Sequence, residues 1–233
     1  KGDSIMSNIP LNSVGFEPNM PVFTRYTGSP PNQSRTVGSK AGRDRSMVLS
    51  AGSIRSALSA LAHAMHSGVG PTHFITINWQ QAGVEDGLAA TGRFLKLLKD
   101  AARRHGWETA HIWVRENGAV HGDHVHILLH LPAEAHDWFK RHKAGWLRQC
   151  GAQRVAGASL TRPVAGAAFV TSPQSMTDPA LYSANLHHVA AYILKHCAPS
   201  VAKLFGIDSK GTCLVEGKRL SISQNIHRKA QQI

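Results

Sequence analysis

Gly122-Asp123-His124-Val125-His126-Ile127-Leu128-Leu129-His130 is the stretch on which the fold of this chain turns. Val125, Ile127 and Leu129 alternate with the residues between them, the two-residue period of a β-strand rather than the 3.6-residue period of a helix. A strand is predicted over 124–131, with Pro132 ending it. Alternate side chains share a face, so His124 and His126 project together, about 6–7 Å apart at Cα, close enough to converge on one ion. His130 has the same parity but lies farther along. The ordinary explanation, histidines on a half-solvated sheet, competes with a ligand pair.

The strand before it sharpens the choice. Residues 109–116 (TAHIWVRE) alternate as well, and the Asn117–Gly118 region supplies a turn. A hairpin closed symmetrically about position 120 sets Glu116 opposite His124, and directly opposed residues of an antiparallel pair share a face. Glu116 then completes a site of two histidines and one carboxylate. His121, in the connecting loop, is the rival third ligand, and a one-residue slip of register would send Glu116 to the wrong face. Such a triad leaves positions open for substrate oxygens, so a bound ion can polarise a scissile phosphate. Zinc hydrolases use similar groups, so ligand type alone does not separate zinc from manganese or magnesium.

Outward from the hairpin, helical spacing appears at 52–67 and at 86–105, where Gly106 supplies a stop. His73–Trp79 (HFITINW) alternates as a strand. A helix is predicted at 133–149, a strand near 158–171 and a last helix at 179–198. The order β-α-β-β-α-β-α predicts an α+β fold, a ferredoxin-like (palm-type) antiparallel sheet with helices packed mainly on one face. Residues 1–45, rich in Pro, Gly, Ser and Asn and carrying Arg25, Arg35, Lys40, Arg43 and Arg45, read as a flexible basic arm. The domain proper is expected over 46–200, and 201–233 as a basic C-terminal extension.

Lysine and arginine number 26 against 14 acidic residues, a formal charge of +12 over 233 residues, which favours a polyanionic partner, nucleic acid first. Arg103, Arg104, Lys140, Arg141, Lys143, Arg148, Lys218, Arg219 and Arg228 are candidate phosphate contacts and the five tryptophans candidate stacking platforms, although solvated charge and core tryptophan are the ordinary roles. Cys150, Cys197 and Cys213 are odd in number and widely spaced, against a disulfide framework and for a reducing compartment. No apolar run approaches the roughly 20 residues of a membrane helix, so a cytoplasmic protein without a membrane partner is expected. Gly211–Lys218 (GTCLVEGK) has one residue too many between its glycines for a Walker loop and is followed by Arg219 in place of Ser or Thr, so no fused helicase is expected.

Near the end of the last predicted helix stands His187-His188-Val189-Ala190-Ala191-Tyr192-Ile193-Leu194-Lys195-His196-Cys197. On a continuous helix His188, Lys195 and His196 fall within about 60° of Tyr192, while Ala190, Ile193, Leu194 and Cys197 gather on another side. A tyrosine near a cation can serve as a phenolate nucleophile, and a lysine one turn away can stabilise it or protonate a leaving oxygen.

FITINW, HVH and YILK in this order resemble the three motifs of HUH rolling-circle initiators, relaxases and transposases, over residues 73–198. The resemblance implies His124 and His126 as metal ligands, Tyr192 as nucleophile, Lys195 as its helper and Glu116 as the carboxylate ligand, with His196 in reserve. It also implies a divalent ion, Mn2+ or Mg2+ ahead of Zn2+, and single-stranded DNA, with or without a hairpin, as partner. The implied reaction is site-specific cleavage through a 5′-phosphotyrosine and rejoining, as in a plasmid or phage replication initiator, a transposase or a relaxase. The competing classes are a non-catalytic nucleic-acid-binding module and a zinc hydrolase that uses water.

Overall fold

The computed structural model describes residues 44–164 and 178–230, without the side chains of 228–230. The expected arm therefore lies outside the described residues, apart from Asp44 and Arg45. In chain order the elements are β1 (Arg45–Ser46), α1 (Ala51–His66), β2 (His73–Asn78), α2 (Gly87–Arg104), β3 (Ala110–Gly118), β4 (Gly122–His130), α3 (His136–Gln149), β5 (Ser159–Pro163), α4 (Pro179–Ile193), α5 (Pro199–Phe205), β6 (Val215–Glu216), β7 (Leu220–Ile222) and α6 (Gln224–Ala230). A single 3-10 turn, Ala133–Ala135, leads into α3.

Local chemistry sets many of these boundaries. Ser50, Asp86 and Asp178 cap α1, α2 and α4, each side chain accepting a hydrogen bond from a backbone amide three residues on. Gly106 takes a left-handed backbone, φ 70°, just past the end of α2, a conformation that side chains disfavour.

Five strands form one antiparallel sheet in the order β5-β2-β4-β3-β7. The β2-α2-β3-β4-α3-β5 portion has the ferredoxin-like arrangement, with β4 inserted between β2 and β3, and the expected α+β class holds. Ile75, Ile77, Trp113, Val125, Ile127 and Leu129 bury one face with Phe94 and Leu98 of α2 and Phe139 and Trp146 of α3. Both crossover helices are on that side. The opposite face buries Phe74, Ile112, Val114 and Leu128 with Ile54 and Leu61 of α1, Leu186 and Ile193 of α4, and Ile226 of α6. The helices outside the ferredoxin-like portion thus cover part of the second face, which the helical pattern of the crossovers alone did not predict.

Three further differences from the sequence reading matter. The described part of the predicted 158–171 strand is strand only over Ser159–Pro163; Val164 follows it, and 165–171 lie outside the described residues. Helix α4 stops at Ile193 instead of running to 198: Cys197 bridges to Leu49, and Pro199, which has no N–H to give, starts α5. The stretch from 201 is not simply appended. Leu220, Ser221 and Ile222 pair with Val114, Trp113 and Ile112 as the sheet's edge strand, and β6 pairs with β1. No helix among the described residues is long and apolar enough to cross a membrane, and all three cysteines are free and buried.

Candidate metal centre

The β3–β4 hairpin closes with Gly118 opposite Gly122, so Glu116 falls opposite His124 and both side chains emerge on one face. His126, two residues on, joins them. The three are nearly inaccessible, and their ligand atoms all lie within 4.8 Å of one another. Glu116 Oε2 is 3.3 Å from His124 Nε2, and Oε1 is 3.7 Å from His126 Nε2. This group could bind a metal ion.

Each imidazole is held from behind. His124 Nδ1 donates to the Gly122 carbonyl at 2.8 Å, and His126 Nδ1 meets Thr76 Oγ1 at 2.9 Å. Thr76 faces His126 across the β2–β4 ladder. Anchoring Nδ1 aims Nε2 inward, as in sites where an outer contact fixes the ligating nitrogen. His126 Nε2 is buried without a hydrogen-bond partner. A buried polar atom in that condition costs free energy unless something else satisfies it. Two imidazole nitrogens and one carboxylate oxygen, one nitrogen orphaned, fit a metal ion.

The electrostatics agree. Burial pushes the Glu116 carboxyl upward, but the imidazoles of His124, His126 and His196 gathered around it outweigh burial and hold the group far below the usual carboxylate range. Burial lowers His126 despite the adjoining carboxylate, leaving the ring neutral and able to offer a lone pair.

Lys195 and His196 reach the same carboxylate from a different element. Lys195 Nζ lies 2.5 Å from Glu116 Oε1, and His196 Nε2 lies 3.2 Å from Oε2. They do so from the turn after α4, not from the continuous helix that the sequence suggested, and His188 on α4 stays exposed. His196 therefore contacts Glu116 without belonging to the three-residue group. His121 stays outside that group too, its ring 6.0 Å from that of His124.

Tyr192, in the last turn of α4, is 45% exposed, and its ring centre lies 5.2 Å from that of His126 and 6.1 Å from that of Phe74. Lys195 Nζ sits 4.1 Å from the Tyr192 ring centre. Burial, and then the Glu116 charge, raise the phenol above its usual range, so the hydroxyl keeps its proton in this state. Tyr182 is different in kind: its hydroxyl donates to the Pro71 carbonyl at 2.9 Å, and burial pushes it up to about 12.

Of the dispersed candidates, Arg219 is buried and grips Ser46 and the Cys213 carbonyl, a fastening role, while Lys143 donates to Thr161 Oγ1. Trp79, Trp113 and Trp146 are core. Trp107 and Trp138 stack on His105 and His142. Thr76 is the site residue that sequence reading missed, although its parity in HFITINW was visible. No family model, curated protein or solved structure matches the chain, and the site rests on its own geometry.

Proposed function

We propose that this chain is a metal-dependent single-stranded-DNA nicking and joining enzyme of the HUH type, acting through a 5′-phosphotyrosine. The observation that carries this reading is the convergence of Tyr192 and Lys195, from the end of α4 and the turn after it, on the Glu116–His124–His126 group of the sheet. A hydrolase that activates water does not require a phenol in that position, whereas a transesterase with a phosphotyrosine intermediate does. Glu116, His124 and His126 would hold the ion, Mn2+ or Mg2+ ahead of Zn2+, which when bound supplies Lewis-acid polarisation of the scissile phosphate.

The chain's own residues perform the rest. Tyr192, half-exposed to solvent, gives up its Oη proton to water and forms a bond to phosphorus; the bond from phosphorus to the 3′ oxygen breaks, and that oxygen takes up a proton. Lys195, beside the ring, stabilises the phenolate as it forms and can deliver the proton to the leaving oxygen. The phosphotyrosine conserves the bond energy, so the freed 3′-hydroxyl can attack it and restore the strand. A plasmid or phage replication initiator working in the cytoplasm suits this chemistry best; a transposase or relaxase would use the same steps.

The test is incubation with Mn2+ and a pool of labelled single-stranded oligonucleotides, with and without hairpins, read by denaturing gel and mass spectrometry. Wild-type protein should yield a covalent adduct on the peptide containing Tyr192, and Tyr192→Phe should lose both adduct and cleavage while still binding Mn2+. Cleavage by the phenylalanine variant would make water the nucleophile and end the proposal. Retardation without cleavage by the wild type would make the chain a binding module.

A further inference from the structure

Along the outer edge of the sheet β7 has a neighbour on one side only, β3. A groove of about 1190 Å3 opens there between α2, the start of α1 and the β7 edge. Its charged lining is entirely cationic: Lys99 and Arg103 come from α2 and Lys218 from the turn before β7. His111 of β3 lines it too, and hydroxyls such as Ser53 and Ser221 complete the wall. No aspartate or glutamate lines the groove among the described residues.

Lys99 and Lys218 line the same groove from α2 and from the turn before β7. Burial, with the charges of Lys99 and Lys218 adding to it, lowers His111 to about 4. Neither lysine has an acidic partner among the described residues; Arg103 alone reaches one, Asp100, at 3.7 Å. Like charges brought together without counter-charges oppose folding and favour a bound polyanion. The chain's net charge of +12 points the same way.

We propose that this groove holds the phosphodiester backbone of a nucleic acid, with Lys99, Arg103 and Lys218 neutralising phosphates and the serine hydroxyls donating to phosphate oxygens. Bases are not read there. The one indole, phenol or phenyl ring in the wall is Trp107, and His105 already stacks on it at 4.3 Å. Leu220 of the groove wall pairs with Val114, and Glu116 follows Val114 two residues later on the same strand, on the order of 7 Å of strand rise. A backbone in the groove would hold the adjoining strand near the centre whether or not Tyr192 is a nucleophile.

The experiment is fluorescence anisotropy in EDTA across a salt series, so that cleavage plays no part, with a labelled oligothymidylate and a duplex, each about 30 residues long to exceed the footprint. Lys99→Glu with Lys218→Glu should weaken binding roughly tenfold and lower the slope of log affinity on log salt by about 2, one per lost phosphate contact. Lys99→Gln with Lys218→Gln should act in the same direction with a smaller loss. Arg154→Glu with Lys203→Glu, an equal charge change on exposed positions outside the groove, should have less than about a twofold effect. The probe that suffers more identifies the occupant as single strand or duplex. Unchanged affinity in the groove variants, or an equal loss in the Arg154 and Lys203 control, overturns the proposal.

Discussion

The two ends of the β2–β4 ladder each bury histidine, and they use it differently. At one end His73, paired with Leu129, is 1% exposed: its Nδ1 meets Thr72 Oγ1 at 2.9 Å and its Nε2 meets His136 Nδ1 at 2.8 Å, with the two imidazoles stacked 5.0 Å apart. Toward the other end His126, 3% exposed, spends Nδ1 on Thr76 and leaves Nε2 with no hydrogen bond beside a carboxylate. Both are buried on inner strands of the sheet. What separates a histidine that builds the fold from one that can hold an ion is the number of nitrogens already engaged.

That contrast can be broken at its strongest point by His126→Ala. Cleavage should fall by about three orders of magnitude or more, and Mn2+ binding by calorimetry should be lost, while DNA affinity persists because basic surface supplies it. Wild-type rates in this variant would reduce His126 to a second His73. Next in size, His73→Ala should leave Mn2+ affinity unchanged but lower unfolding free energy by about 3 kcal/mol, since it opens a cavity and strands the partners of both nitrogens. Chemical denaturation measures this, and a loss of metal binding without a loss of stability would reverse the two roles.

Acid titration sharpens the same comparison with a smaller effect. Burial first, then the His136 and His130 charges, lower His73 to about 4. Its unfolded form binds a proton below its ordinary value of 6.5, whereas the folded form resists until about pH 4, so stability is full above that upper value and declines as pH falls through the window. At about pH 5 the loss from this one group is on the order of 2 kcal/mol, and the His73→Ala variant should show a shallower decline between about pH 7 and pH 5. His111, also lowered to about 4, adds a decline that the His73 variant keeps. Smallest, Thr76→Val should weaken Mn2+ binding by about tenfold through loss of the hold on Nδ1, with little change in stability. An undiminished affinity would mean that packing against Phe74, whose ring lies 5.5 Å from His126, orients the imidazole instead.

Much of the candidate site was legible because a hairpin is a local object. Two-residue alternation and a turn near 120 are enough to place Glu116 opposite His124, and the observed register does so. Contacts between distant segments were harder to read. Helical periodicity carried α4 through Lys195 and His196, since nothing local in YILKHC announces that Cys197 leaves the helix to bridge Leu49. Strand β7 is three residues long, too short for alternation to register, and only its pairing with Ile112–Val114 makes it a strand. The orphaned Nε2 of His126 is beyond any reading of letters, because His73 and His126 are the same residue in similar strands.

The β1–β6 ladder bears on how the chain acquires its fold. Arg219 bonds to Ser46 across 173 residues, and Arg45 pairs with Glu216 beside it. Contacts of such separation form only after a long loop has closed, and their favourable energy arrives late along the folding path. Hairpin β3–β4, with its local pairing, is available from the start. During synthesis the segment around Ser46 emerges well before Arg219 and waits for it, so this edge of the domain is the last to set and, by the same reasoning, among the first to open under denaturant.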